Sequence, residues 1–275
     1  MPDIVVHLIA AAAYLGLAWH FWNSRWRGAP GSEQRSGLRG WERAALLVPL
    51  ALHGWLLYAG IFATSDLRFG FAQALSVMLW LAVAVYWIES LFYPLDGMEP
   101  LVLPLAAIAA PLPAFFPGLA SSGAHAGAAA FKVHLALAMI AYGLFVIALL
   151  HATLMAVAER QLHGKAGLAF GHLPPLLTLE RLLFRMIGAA FLFLTLTLAS
   201  GFVFSETLFG RALRFDHKTI FAILSWLTFG WLLAGRSLYG WRGRTAVRWT
   251  LGGFVLLVLA YVGSRFVLEV VLQRA

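Results

Sequence analysis

Ten residues between two long apolar runs, Phe209-Gly-Arg-Ala-Leu-Arg-Phe-Asp-His-Lys218, bring together one histidine, three cations and two aromatic rings. A neutral imidazole is a ligand for haem iron, and an arginine fork suits a carboxylate. Aromatic and aliphatic side chains suit the faces of a flat macrocycle. In this segment Phe209, Leu213 and Phe215 can supply wall, while Arg211, Arg214 and Lys218 can bind propionates. His217 can reach iron, and Asp216 is placed to cap the helix that follows. The same residues also make an ordinary amphipathic loop whose cations meet anionic lipid, so the segment alone leaves both readings open. The 275-residue chain has no cysteine. Thiolate metal sites and thiol transfer are thereby excluded, and histidine is left as the strongest candidate ligand.

The elements that must position these residues are membrane helices. The chain is 61% hydrophobic and only 12% charged, far more apolar than a soluble core of this size requires, so lipid is the solvent for most of it. Eight stretches approach the ~20 residues that cross the hydrocarbon. They are Ile4–Trp22, Trp41–Phe62, Phe71–Phe92, Pro100–Phe116, Lys132–Val157, Leu182–Phe204, Thr219–Arg236 and Val247–Val271. The fourth carries Pro104, Pro111 and Pro113 and is expected to be kinked or partly unwound. The expected fold is an all-α polytopic membrane bundle of about eight transmembrane helices, forming one integral membrane domain over residues 1–275. The Gly/Ser/Arg-rich Asn23–Gly40 reads as a mobile loop, and Thr178 or a neighbour as the cap of a short interfacial helix near Leu173–Arg181.

An even count puts both termini on one side. Alternating the loops then leaves thirteen Lys/Arg residues on one face, Arg25 to Arg43 and Arg160 to Arg185 among them, against seven on the other. The richer face is cytoplasmic by the positive-inside rule, which makes both termini periplasmic and turns Phe209–Lys218 outward. The first span has Asp3 before it and its basic residues after it, unlike a cleavable signal.

Depth along the spans sorts the histidines. His7, His134 and His217 lie near external helix ends, and His53 lies slightly external of the middle of its span. Four helices thus carry four histidines into the external half. Bis-histidine ligation needs two imidazoles on opposed helices, which His134 offers with His217 or with His53. His7, beside a helix end, is a weaker member. His20 and His151 offer an inner-leaflet alternative. The acidic residues Glu42, Glu89 and Glu269 lie towards span ends, which disfavours an ion transporter because such proteins place carboxylates along their pathway. The polar residues read at mid-membrane are His53, Gln73, Thr195, Thr197, Ser225 and Thr228. No Lys/Arg tract interleaved with aromatics supports a nucleic-acid partner.

From Lys132 to Arg265 the chain resembles the integral-membrane cytochrome c assembly superfamily, which includes the CcsA/ResC haem-handling subunits. Lys132-Val-His-Leu with Ala141-Tyr142 resembles that family's Val-His motif ahead of a Ser/Ala-Tyr pair. Leu179-Glu-Arg-Leu-Leu-Phe-Arg through Leu194-Thr-Leu196 is similar to its Leu-Asp…Tyr-Arg…Leu-Thr-Leu helix, and Phe215-Asp-His-Lys…Trp226-Leu…Arg236 and Gly240-Trp-Arg-Gly-Arg244 follow its C-terminal pattern. The part of the chain resembling the family covers about residues 127–270. His134 matches the family's first external histidine. The family's Trp-Gly-x-x-Trp-x-Trp-Asp motif is represented by Phe209, Gly210, Leu213, Phe215 and Asp216, with every tryptophan replaced; His217 stands where the family has proline, and Ala234 where it has a membrane histidine. These departures, with the eight-span size, resemble the shorter YpjD-type inner-membrane branch. The resemblance implies a bacterial inner-membrane protein that handles b-type haem at its external face, with partners among cytochrome c maturation or other inner-membrane proteins, and no covalent chemistry of its own. The competing expectation is a haem-free scaffold or regulatory accessory that has kept the fold.

Overall fold

The computed structural model describes residues 4–26, 37–62, 67–118, 120–121, 129–163, 173–209 and 217–271. Nearly all of them are helical. Helix α1 covers Ile4–Phe21 and continues through a π-turn, Trp22–Trp26. It is followed by α2 (Gly40–Phe62), α3 (Phe71–Glu89), α4 (Glu99–Ala109), α5 (Leu112–Phe115), α6 (Ala129–His163), α7 (Leu176–Phe209) and α8 (His217–Tyr239). Helix α9 runs from Arg244 to Val271 and contains π-turns at Leu259–Gly263 and Val267–Val271. A two-residue antiparallel ladder pairs β1 (Leu67–Arg68) with β2 (Ala120–Ser121). The protein is a polytopic helical membrane bundle.

Seven helices, α1 to α3 and α6 to α9, are long and apolar enough to cross a membrane, and the proline-rich stretch forms a shorter apolar piece. Its helix breaks between Ala109 and Leu112, around Pro111. Beyond the break the first turn of α5 is tight: the Ala114 N–H bonds to Pro111 rather than to Ala110. The Ala110 carbonyl is left to accept from His7 Nδ1 at 2.8 Å. A freed carbonyl at membrane depth must find such a donor.

The broken pair still returns along the length of α3. The chain leaves α3 at Glu89, and just past α5 the Phe116 carbonyl accepts from Gln73 Nε2 at 3.1 Å while the Phe116 ring meets Phe71 at 5.1 Å. Gln73 is thus a residue of the helix start, bonded also to the Gly70 N–H, and not a mid-membrane polar group as the span count suggested. Gly118 takes φ +72° against this same start, where a Cβ would stand 2.8 Å from Gln73 Oε1. Among the described residues the broken pair thus runs back along the bundle beside the seven long helices. The first turns of α1 and the last of α9 end up at one end: His7 meets Ala110, and Glu269 Oε2 accepts from the Phe71 N–H at 3.4 Å.

Helices α1 to α4 form one group and α6 to α9 a second, joined mainly where α3 packs on α6. Phe145 of α6 and Phe229 of α8 are fully buried and stacked, with centroids 3.9 Å apart. Phe229 fits because α9 offers Gly253, where a Cβ would come within 2.8 Å of its ring; small residues let membrane helices approach this closely.

Two loop expectations change. Asn23–Trp26 belong to α1. The interfacial helix expected near Thr178 is not separate, since α7 begins at Leu176 and runs unbroken to Phe209.

Candidate functional site

Helix α6 packs on α7 and α9, and α8 packs on the same two, so α6 and α8 face each other across the diagonal of a four-helix unit. The Phe145–Phe229 stack closes that diagonal midway. His134 lies about 16 Å, and His217 about 18 Å, from the stack in the same direction at ~1.5 Å rise per residue. The two histidines therefore stand on opposed helices at one end of the unit, the end that also holds His7 and Glu269.

The hydrogen bonds around His134 fix its tautomer. Ser200 Oγ donates to the Thr197 carbonyl at 2.9 Å, which commits its only proton. It must then accept from His134 Nδ1, 2.8 Å away. With Nδ1 protonated, Nε2 carries the lone pair of a neutral imidazole. An outer hydrogen bond of this kind is what holds a metal-ligating histidine in orientation. Ser200 and Thr197 both come from α7, and neither was singled out by sequence as a partner of His134. The signal was present in the Leu194-Thr-Leu…Ser200 stretch but needs the register of α6 on α7 to be read.

His217 is exposed at the start of α8. Arg211, Arg214, Phe215 and Asp216 lie outside the described residues, so the expected propionate and wall contacts of that segment do too. His53 is fully buried in a different place, among α1 to α3: its Nε2 is 2.8 Å from Ser76 Oγ, its Nδ1 has no hydrogen-bond partner, and Tyr14 meets its ring edge-on at 5.8 Å. Helix α3 packs against both α2 and α6, and His134 turns instead toward α7, so the structure does not bring His53 and His134 into one interface. His7 is engaged at the break before α5. Among the described residues no three His, Asp or Glu side chains converge as a metal-ion site; bis-histidine haem needs only two.

At the opposite end the two inner histidines have separate partners. His20 Nε2 lies 3.1 Å from Glu42 Oε1, and His151 Nε2 lies 3.5 Å from Glu89 Oε2. Beside His20 is a cluster that sequence reading missed. Arg25 bonds Glu42 through Nη2 at 2.9 Å, pairs with Asp96, and brings Nε within 3.8 Å of Glu99. Its Nη2 also donates to the Gly37 carbonyl at 2.9 Å. Glu42 and Glu99 are 3% and 1% exposed, so among the described residues this guanidinium balances carboxylates with almost no water.

The described basic residues divide between the two ends as the alternating loops require. Arg25, Arg43, Arg185 and Arg236 gather at the end holding Ser90, Tyr93 and Glu180, whereas Arg265 lies beside Glu269 at the other.

An all-helical membrane bundle with a histidine near the start of the helix after the broken crossing defines a class of polytopic membrane protein, and comparison with known proteins makes it specific. The family described as Cytochrome C assembly protein matches residues 42–272, well beyond the stretch that carries the motifs. The chain belongs to that family. It is 30% identical over 257 residues to the inner membrane protein YpjD of Escherichia coli (strain K12), covering 88% of this chain and 92% of that protein. An uncharacterized 28.8 kDa protein from Azospirillum brasilense is 36% identical over 143 residues, 51% of this chain and 52% of its own. The cytochrome c biogenesis protein CcsA of Heterosigma akashiwo is 34% identical over 91 residues, 33% of this chain and 28% of its own. No solved structure matches.

Proposed function

We propose that this chain is an inner-membrane protein of cytochrome c biogenesis that holds b-type haem at the periplasmic end of the α6–α9 unit, with His134 and His217 as iron ligands. Family membership and the CcsA relative support the biogenesis role, and the YpjD relative supports the inner membrane. The observation that carries the haem reading is the Thr197–Ser200–His134 relay, which leaves His134 Nε2 as a lone pair on a fixed ring. His217 stands diagonally opposite, exposed at the first turn of α8. Haem, when bound, would supply the iron; His134 and His217 would hold it, with His134 oriented by Ser200, on the side of the Phe145–Phe229 stack where both histidines lie. The replaced tryptophans favour a second reading, a haem-free accessory, because the aromatic surface of the family motif is reduced at Phe209, Leu213 and Phe215.

An absorption spectrum of detergent-purified protein from haem-replete cells tests this. The expected result is a histidine-ligated Soret band, lowered most by His134→Ala and converted from six- towards five-coordinate by His217→Ala. Full occupancy in His134→Ala removes it as a ligand. A spectrum unchanged in His217→Ala, with the second ligand lost in His53→Ala, moves the site into the α1–α3 group. Colourless wild-type protein that takes up no added haem returns the accessory reading.

A further inference from the structure

At the end of the bundle opposite His134, the first turns of α7, the last turn of α8 and Arg242 just beyond it border an open concavity of about 420 Å³, within the ~300–1,000 Å³ range of small-ligand clefts. Four guanidiniums line it, those of Arg181, Arg185, Arg236 and Arg242, with the single carboxylate of Glu180. Glu180 is committed to Arg236, which it meets at 2.6 Å, and it lies 3.9 Å from Arg242. Arg236 is held further by the Phe184 ring, 4.7 Å away, and by the Trp241 carbonyl at 3.3 Å. Arg185 donates to the neutral Tyr93 hydroxyl, at 2.7 Å. Among the described residues no carboxylate comes within ion-pair distance of Arg181 or Arg185. The cavity thus carries a positive excess that its own side chains do not neutralise, and α7 adds the positive end of its dipole from Leu176 onward.

Charge on this end of the bundle is expected from the positive-inside rule, but that rule asks only for dispersed cations. Convergence on one concave site, with one arginine already anchored to the only carboxylate, is a recognition geometry. Several guanidiniums suit an anion with more acceptor oxygens than a carboxylate, because each planar fork needs its own pair of oxygens. We propose that this cavity binds a phosphate group, with Arg181, Arg185 and Arg242 as its ligands and Arg236 as the fixed member that shapes the site. Two sources present that chemistry at a membrane surface, the headgroup of an anionic phospholipid and a soluble phosphate. Leu177 and Phe184 give the cavity an apolar wall, and the exposed Leu238 and Tyr239 continue it along α8. Basic pockets between helices at a cytoplasmic face are suited to phospholipid heads.

The test uses full-length protein, purified in a neutral detergent and delipidated. It is titrated with mixed micelles containing dioleoylphosphatidylglycerol, with the same micelles containing dioleoylphosphatidylcholine, and with inorganic phosphate. Melting temperature and the adducts retained in native mass spectrometry are read. Phosphatidylglycerol is expected to stabilise saturably and phosphatidylcholine is not. Arg181→Gln/Arg185→Gln should weaken the apparent affinity roughly 25-fold, at about fivefold per arginine. Glu180→Gln should tighten it roughly fivefold by the same reasoning, a gain that a damaged fold does not produce and that decides the matter if the double variant does not purify. Phosphatidylglycerol binding that inorganic phosphate neither matches nor displaces assigns the site to lipid. Equal stabilisation by inorganic phosphate, lost in the double variant, assigns it to a soluble phosphate. Equal response to the two lipids, or responses that neither substitution changes, overturns the proposal. The cavity is at the far end from His134, so a colourless protein leaves this outcome unaffected.

Discussion

Arg25→Met is the sharpest probe of the inner end of the bundle. It keeps an unbranched aliphatic stem and deletes the guanidinium, whose carbon lies 5.4 Å from the Phe21 ring centroid. In the native cluster that group meets Glu42 at 2.9 Å, pairs with Asp96, and approaches Glu99 at 3.8 Å. Glu42 and Glu99 are almost fully buried, so the deletion strips buried charges of their counter-ion without giving them water. Breaking a buried ion pair from one side costs about 3–5 kcal/mol. The remaining contacts of Glu42, to His20 and the Arg39 N–H at 2.7 Å, keep the loss from exceeding that range. A loss of this size lowers the melting temperature on the order of 10 °C. The assay is thermal unfolding of detergent-purified protein, read by tryptophan emission, at neutral and mildly acidic pH. The direction with pH follows from charge: protonation neutralises the stranded carboxylates, so the gap between variant and wild type should narrow as pH falls. A variant melting within ~2 °C of wild type at neutral pH, or a gap that widens in acid, refutes the assignment of Arg25 as the cluster's counter-ion.

Ser200→Ala removes the acceptor that orients His134, and is expected to weaken haem retention at least about tenfold while costing only ~1 kcal/mol of fold stability; Ser200→Thr should restore most of the retention, and undiminished occupancy in the alanine variant eliminates the relay as an orienting device. Both termini are expected in the periplasm, so an alkaline phosphatase fusion after Ala275 should be active and one at Lys165 inactive; the reverse pattern inverts the bundle and moves the candidate haem end to the cytoplasm.

The membrane helices were legible because their signal is local: a run of apolar residues near 20 in length names itself. The proline-rich crossing was legible as damaged for the same reason, since Pro111 lacks the N–H that would continue α4. His134 was legible as a candidate through depth and motif. Its tautomer was not, because Ser200 Oγ becomes its partner only once α6 and α7 are in register. Arg25 was assigned to the right end but to a loop: Asn23–Gly40 has a loop's composition, and nothing local reveals that Arg25 continues α1 and meets partners on α2 and at the start of α4. Gln73 was assigned to mid-membrane by counting and belongs to a helix start by hydrogen bonding. Sequence reading was strongest where one segment meets lipid, and weakest where distant segments meet each other.

The α4–α5 crossing has a consequence for how the protein is made. Most of α4 faces protein, with Val102, Leu103, Ala106 and Ala107 buried, and its neighbours are α1 and α3. The carbonyl at its break is satisfied by His7, a side chain of α1, about a hundred residues earlier in the chain. A nascent segment this short, with four prolines and an open backbone acceptor, is a poor substrate for release into lipid on its own. Helix α1 supplies both the donor and the packing surface that this segment lacks by itself. The crossing is thus completed by a partner made well before it, and removal of α1 is expected to expose the break at Ala110.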